Sequence, residues 1–547
     1  MTLLRAATPD FQPFRTFVTA VLLLLASFLT NIFTPGQAMA TSSIPAFAQA
    51  VAEAAVGDED IAAFYRDNGY RAIWTDTSAQ AAQRRAALLN ALARADDHGL
   101  PVASYNLDQL KADLRAISSA RQKGRVEVEL SRLFLLYARQ VSTGILTPKQ
   151  VDPGIVREVA LRDRTEMLRS FVAANPVQFL KSLPPRDGEY ARLMREKLHL
   201  EQLRERGGWG PVVRANALRP GDSGPAVIAL RNRLIAMGYM GRSASVSYDG
   251  DLQRAVQVFQ LDHGLEPDGV AGASTIREVN EPIEKRLASI LVAMERERWM
   301  NFERGKRHIW VNLTDFTAKI VDDGKVTFRT RSVIGANSGD RRSPEFSDVM
   351  EYMEINPYWN VPRSIATKEY LPAMLSNPGA AGHLQLVDGA GRVVPRSAVD
   401  FSRYTPASFP FNLRQAPSSR NALGLVKFMF PNRHNIYLHD TPSKSLFLRE
   451  VRDFSHGCIR LQKPFEFAYA LLAPQTDDPV GVFQRALKSG QNTRIDIVPN
   501  VPVHLVYRTA IVPASGKAQY RRDVYGRDGR IFGALQAAGV VLGGVGG

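Results

Sequence analysis

The stretch Ser455-His456-Gly457-Cys458-Ile459-Arg460-Leu461 holds the one cysteine of a 547-residue chain. Nineteen residues before the thiol, Tyr437-Leu438-His439-Asp440-Thr441-Pro442 reads as a strand ending in a histidine. A free thiol is only about 3% thiolate at neutral pH, so a nucleophilic cysteine needs a base or a cation beside it, and histidine supplies either. Gly457 lets the backbone turn tightly with consecutive N–H groups pointing outward, the usual way of building an oxyanion hole. Arg460 adds a fork of donors suited to a carboxylate. Taken singly, Cys458 reads as a small buried hydrophobe and His439 as a core residue. Together they point to nucleophilic catalysis. Asp440 adjoins His439, but neighbours along an extended strand face opposite sides, so a triad role for it is disfavoured and the group that orients His439 stays open.

Outward from this stretch the chain alternates like antiparallel sheet. Ile309 to Leu313, Lys319 to Val321 and Val326 to Val333 read as strands, with Asp323-Gly324 as hairpin chemistry between the last two. Further strands are expected at Val349 to Ile355, Leu384 to Val387, Val426 to Phe430 and Ile436 to His439. Residues 363–420 are rich in proline and glycine and read as an insert over the sheet, either a lid or plain surface decoration. Alternation at 494–498, 503–512 and 520–531 is assigned to edge strands of a unit spanning 300–533, and 534–547 to a flexible tail.

Upstream, residues 44–206 carry apolar residues at helical spacing, with Leu130, Leu133, Phe134, Tyr137 and Val141 on one face. They read as a helical packing domain without chemistry of its own. After the Gly207-Gly208-Trp209-Gly210-Pro211 break, residues 215–282 follow an ordered series. A turn at 218–224 leads to a helix marked by Val227, Leu230, Leu234 and Met237, stopped by Gly238. Tyr248-Asp249-Gly250 opens a second helix with the pair Phe259-Gln260, and Asp268-Gly269-Val270-Ala271-Gly272 turns into a third. This series resembles the peptidoglycan-binding domain of cell-wall enzymes, which implies affinity for the wall glycan unless the three helices serve only as a spacer.

Composition bounds the rest. The length leaves room for three or four units at about 150 residues each, and 45% hydrophobic with 22% charged residues is ordinary globular protein. One cysteine excludes a disulfide scaffold and a cysteine-rich metal site. No H-E-x-x-H, Walker or dinucleotide pattern occurs, so neither metal nor cofactor is expected. The net charge of +15 suits an anionic partner. Arg5 and Arg15, an apolar stretch from Phe17 to Phe33 and Ala38-Met39-Ala40 read as a secretory signal over 1–40, cleaved after Ala40. Uncleaved, the stretch would be an N-terminal membrane anchor. Export from the cytoplasm argues against nucleic acid and for an acidic envelope polymer or phospholipid.

S-H-G-C-I-R-L after a strand ending in histidine resembles the signature of the L,D-transpeptidase catalytic domain. Asn356-Pro357-Tyr358-Trp359-Asn360-Val361-Pro362, Asn421-Ala422-Leu423-Gly424 and Leu438-His439-Asp440-Thr441-Pro442 are similar to its large periplasmic branch. That resemblance implies a multidomain α+β chain: a helical scaffold, a small three-helix peptidoglycan-binding domain and a mixed β-sandwich catalytic domain with a capping insert. It implies Cys458 as nucleophile and His439 as general acid/base. Gly457, His456 and Ser455 would form the oxyanion hole and pocket, with Arg460 and Tyr358 touching substrate. The implied partners are peptidoglycan stem peptides and glycan, and the implied reaction is cross-linking of two diaminopimelate residues with loss of D-alanine. The same residues would also serve a cysteine L,D-carboxypeptidase or the attachment of envelope proteins to the wall. A non-catalytic wall-binding scaffold is the remaining alternative.

Overall fold

The computed structural model describes residues 45–542, so the expected signal at 1–40 lies outside the described residues. The first helices pack around the 24-residue helix Ala120–Thr143, on which Leu130, Leu133, Phe134, Tyr137 and Val141 are all buried as their spacing predicts. Each such side chain contributes about 1.5–3 kcal/mol through burial. The same helix buries Glu127, which accepts from the Trp74 N–H at 3.0 Å, the Thr75 N–H at 2.8 Å and the Tyr65 hydroxyl at 2.9 Å, pinning the 73–75 loop.

The second unit has the three expected helices, Pro225–Ala236, Gly250–Asp262 and Ala273–Val279. Gly238 at φ 72° ends the first, a left-handed position that glycine takes without steric cost. Gln260 clamps the D-G turn: its amide donates to Asp268 at 2.9 Å and to the Val270 carbonyl at 2.9 Å, and its oxygen accepts from the Gly269 N–H at 2.9 Å.

Fifteen strands follow among the described residues. They are β1 (Arg307–Asn312), β2 (Thr317–Asp322), β3 (Lys325–Gly335), β4 (Phe346–Ile355), β5 (Trp359–Asn360), β6 (Gln385–Val387), β7 (Val393–Val394) and β8 (Asn412–Gln415). After these come β9 (Val426–Met429), β10 (Leu438–His439), β11 (Asp453–Ser455), β12 (Ile459–Leu461), β13 (Thr493–Val506), β14 (Ala510–Ile511) and β15 (Gln519–Tyr520). Nine of them form a mixed sheet in the order β11-β3-β12-β10-β9-β4-β13-β1-β2, and β2 also pairs with β3, so the sheet closes on itself. The two faces of the expected sandwich therefore belong to one continuous sheet. Asp323 (φ 48°) and Gly324 (φ 77°) make the β2–β3 turn with both central residues left-handed, as a two-residue hairpin requires. Ile309, Met353, Phe428, Leu438, Ile459 and Leu505 fill the interior. Residues 363–420 are no loose loop. With flanking β5 they build a four-stranded sheet, β5-β8-β6-β7, over a core that includes Leu371, Met374, Leu386, Phe409 and Leu413.

Three expectations change. The strands at 494–498 and 503–512 are largely one strand, β13, interrupted by a bulge between Asp496 and Val501. The strand expected at 520–531 is instead the short β15 and the start of a helix, Arg527–Ala537, whose Ile531 and Leu535 lie four apart on one buried face. Helical spacing decides there over the local alternation. The tail expected from Ala534 is ordered to Leu542, because Leu535 and Val540 pack against Ile155, Leu291 and Trp299; residues 543–547 lie outside the described residues.

Between the second unit and the sheet runs a helix to which the sequence reading assigned no role, Ile283–Trp299. Its charged run Glu295-Arg296-Glu297-Arg298 is buried. Glu295 accepts from the Ile145 N–H at 2.7 Å, the Leu146 N–H at 2.8 Å, the Trp299 indole at 3.1 Å and Arg298 at 2.6 Å. Arg296 pairs with Glu345 and Asp528, and Glu297 with Arg508 and Arg304. Scaffold and sheet are thus pinned to one rod, and Arg286 of the same helix pairs with Glu278 of the second unit at 2.8 Å.

Candidate active site

Strand pairing decides which side chains meet. β10 runs parallel to β12 with Leu438 opposite Ile459 and His439 opposite Arg460, and antiparallel to β9 with His439 opposite Lys427. Leu438 and Ile459 point into the core. Alternation then sends His439, Arg460 and Lys427 to the outer face, together with Tyr437 and Cys458, one pleat back. These residues, Lys427 excepted, line a cavity of about 550 Å³ with Ser455, His456, Gly457, Arg341 and Glu369.

His439 is buried, and its Nδ1 lies 2.5 Å from the Asp440 carbonyl oxygen. A carbonyl only accepts, so Nδ1 carries the proton and Nε2 is left with its lone pair. The orienting group left open by the sequence is therefore a backbone carbonyl. The Asp440 carboxylate faces elsewhere, accepting from the Leu425 N–H at 2.9 Å and pairing with Lys444 at 2.5 Å. Burial and the nearby Arg460 charge bring His439 down to about 3, so the imidazole is a neutral base. Burial pushes the Cys458 thiol up to about 11, against the opposing pull of Tyr437, Lys427 and Arg460. The resting pair is thus thiol and imidazole, with the thiol donating to the Asn435 carbonyl at 3.4 Å. Arg460 makes no ion pair among the described residues, and its Nε is buried without a partner. A guanidinium in that state is poised for a carboxylate from outside.

The backbone at the thiol is fixed by a relay. Gly457 sits at φ 110°, a region other residues avoid. Its carbonyl accepts from Ser343 Oγ at 2.6 Å, and that oxygen in turn accepts from the Gly335 N–H at 3.0 Å. Among the described residues, no acceptor engages the N–H groups of Gly457 or Cys458. Arg527 donates to the Ser343 carbonyl at 3.0 Å and pairs with Glu345 at 3.1 Å, which Arg296 of the 283–299 helix also holds.

The insert forms one wall. Glu369 bridges Arg341 at 2.7 Å and His456 at 2.9 Å, and Lys368 pairs with Asp340 at 2.7 Å, tying insert to sheet across the mouth. Of the residues singled out in the sequence, Cys458, His439, Ser455, His456, Gly457 and Arg460 share this cavity. Tyr358 does not. It lines an adjoining cavity of about 430 Å³ behind a wall of Leu423, Ile436 and Tyr437, and Arg414 lies over its ring at 5.0 Å. Tyr437 was missed, although its place two residues before His439 put it on the same face. Glu369 and Arg341 carry no local signal.

Three families match along the chain. Residues 59–196 match a scaffold domain, 223–278 the family described as "Putative peptidoglycan binding domain", and 306–483 the L,D-transpeptidase catalytic domain. It is residues 306–483 that resemble an L,D-transpeptidase domain. All of the shared cavity's sequence-predicted residues lie within it. A Haemophilus influenzae protein named "Putative L,D-transpeptidase" is 33% identical over 227 residues, spanning 41% of this chain and 45% of that protein, so the match takes in under half of the relative. Among solved structures, the L,D-transpeptidase (residues 123–326) of Xylanimonas cellulosilytica aligns over 54% of this chain and 100% of its own at 15% identity, with a TM-score of 0.18. A fused Zn-dependent amidase/peptidase/peptidoglycan-binding domain-containing protein of Clostridium acetobutylicum aligns over 53% and 99% at 13% identity, TM-score 0.15. Superpositions this loose bear on neither fold nor function.

Proposed function

We propose that the chain is an envelope L,D-transpeptidase that cross-links peptidoglycan stem peptides through a thioester on Cys458. What carries the reading is one cavity that brings together a thiol, a neutral histidine with Nδ1 committed to a carbonyl, and a half-buried guanidinium that makes no ion pair among the described residues.

In the proposed first step His439 Nε2 takes the thiol proton as Sγ attacks the carbonyl joining the donor's third residue, diaminopimelate, to its terminal D-alanine. A separate ion pair need not precede attack, since both groups rest neutral. The N–H groups of Gly457 and Cys458, free among the described residues, would receive the developing oxyanion. Collapse breaks the C–N bond, the leaving amine takes the proton from His439, and a thioester remains. The side-chain amine of an acceptor diaminopimelate then attacks the thioester carbonyl and yields its proton through His439, and the thiol is restored. One amide replaces another, so no ATP is spent. Arg460 would hold a stem-peptide carboxylate, His456 and Ser455 would shape the pocket, and the adjoining cavity with Tyr358 lies where a second substrate could approach. The insert at 363–420 would act as a lid.

Residues 215–282 would hold wall glycan, and export by residues 1–40 would place the enzyme in the periplasm. Among the described residues no helix is long and apolar enough to cross a membrane. The test is intact mass after carbapenem exposure: the parent chain gains one adduct and Cys458→Ala none. Incubation with disaccharide tetrapeptide should then give cross-linked dimers. Monomeric tripeptide as the sole product would refute transfer and leave a carboxypeptidase.

A further inference from the structure

A second cavity, of about 480 Å³, shares no residue with the one around Cys458. It lies where the helix Gly188–Glu205, the Trp209 segment, the second unit and the β14–β15 hairpin meet. Its volume is within the range of about 300–1,000 Å³ typical of small-ligand sites.

Its lining holds satisfied cations, an unsatisfied acceptor and the Tyr520 hydroxyl, which is buried without a partner among the described residues. Arg286 pairs with Glu278 at 2.8 Å and lies over the Tyr520 ring at 4.4 Å. Lys517 donates to the Gly238 carbonyl at 2.7 Å and lies over the Tyr239 ring at 3.4 Å. Both positive groups are therefore already engaged. Glu196, half-buried, accepts no hydrogen bond among the described residues, and burial holds its carboxyl up at about 7, opposed by Lys517. Half-buried Trp209 adds an aromatic surface. A stem peptide brings carboxylates and would need free cations. An acetamido sugar brings hydroxyl and amide donors for Glu196 and an apolar ring face for the indole.

We propose that this junction cavity is a saccharide site that takes uncharged N-acetylhexosamine units of a glycan strand, with Glu196 as acceptor and Trp209 as platform. The inference rests on the reading of peptidoglycan as substrate and adds where the glycan, as opposed to the peptide, is held. Because three units contribute to the site, a bound strand would lie at a set position relative to Cys458.

The experiment titrates the full chain with triacetylchitotriose, a peptide-free probe, by calorimetry, with free stem tetrapeptide as competitor. Saturable binding is expected, unaffected by the tetrapeptide and about tenfold weaker in both Trp209→Ala and Glu196→Gln. Glu196→Gln keeps the side chain's shape, and an unchanged melting temperature certifies its fold. Undiminished binding in both variants, competition by the tetrapeptide, or no saturable binding by a chain whose Cys458 still accepts a carbapenem would each overturn the site. Trisaccharide binding without carbapenem adduct formation would instead overturn the transpeptidase reading and leave the site standing.

Discussion

Gly335→Ala tests whether the relay behind the thiol turn positions it. A Cβ at residue 335 would overlap the Arg341 carbonyl oxygen and come within 2.8 Å of Ser343 N and 3.0 Å of Gly457 Cα. All three are backbone atoms, so no side chain can swing aside. Gly335 has no positive φ, so the penalty is steric alone, near the upper end of overpacking, about 3 kcal/mol. Restoring ordinary contact moves the 455–457 turn by roughly 0.5–1 Å, and a misplacement of about 1 Å can cost on the order of 100-fold in rate. Time-resolved mass spectrometry of carbapenem acylation at Cys458 reads this directly, beside a melting curve. Gly324→Ala is the control: at φ 77° with no atom within 4 Å of a Cβ, it strains the β2–β3 hairpin by about 1 kcal/mol and should leave acylation unchanged. Acylation of Gly335→Ala within about threefold of the parent rate would refute a positioning role for the Gly335–Ser343–Gly457 relay.

The pH profile follows from His439. A folded value near 3 leaves the basic form present from neutral pH down to about 4, so acylation should lose nothing between pH 7 and 5; an acid limb near 6.5 would mean a solvated ring. With the thiol pushed up to about 11, alkylation of the free enzyme by iodoacetamide should be slow at pH 7 and still be rising above pH 9. Asp440→Asn should keep acylation within about tenfold, since a backbone carbonyl holds Nδ1; a loss of 1,000-fold would assign the carboxylate a direct role. Glu295→Ala should cost about 4 kcal/mol in urea unfolding, because it leaves buried Arg298 unpaired and two backbone N–H groups without an acceptor. A cost under 1 kcal/mol would show that the site relaxes or hydrates.

What the sequence made legible was local. The β2–β3 turn, the Gly238 stop, the buried face of 130–141 and the gathering of His439, Gly457, Cys458 and Arg460 all follow from spacing, turn chemistry or a short motif. Two kinds of feature were hidden. One was tertiary pairing that inverts a composition cue: Glu295-Arg296-Glu297-Arg298 has the look of a solvated face, and only partners 49 to 232 residues away along the chain allow Arg296 to be buried. The other was the insert, whose prolines and glycines suggested irregular loop although Leu371, Phe409 and Leu413 gave it a core. The 527–537 helix misled because its Arg-Asp-Gly-Arg start carries little apolar signal.

The 283–299 helix bears on how such chains can be taken apart. Family boundaries suggest that a piece beginning at residue 306 is a detachable cassette. Yet Arg508 and Glu345, inside or just beyond that piece, find Glu297 and Arg296 on the helix in front of it. Cut there, a fragment reaching past Arg508 would lose both carboxylates of that arginine, Glu297 and Glu189, and would leave Glu345 with Arg527 alone, so grafting it behind a foreign unit should cost stability unless those partners travelled with it.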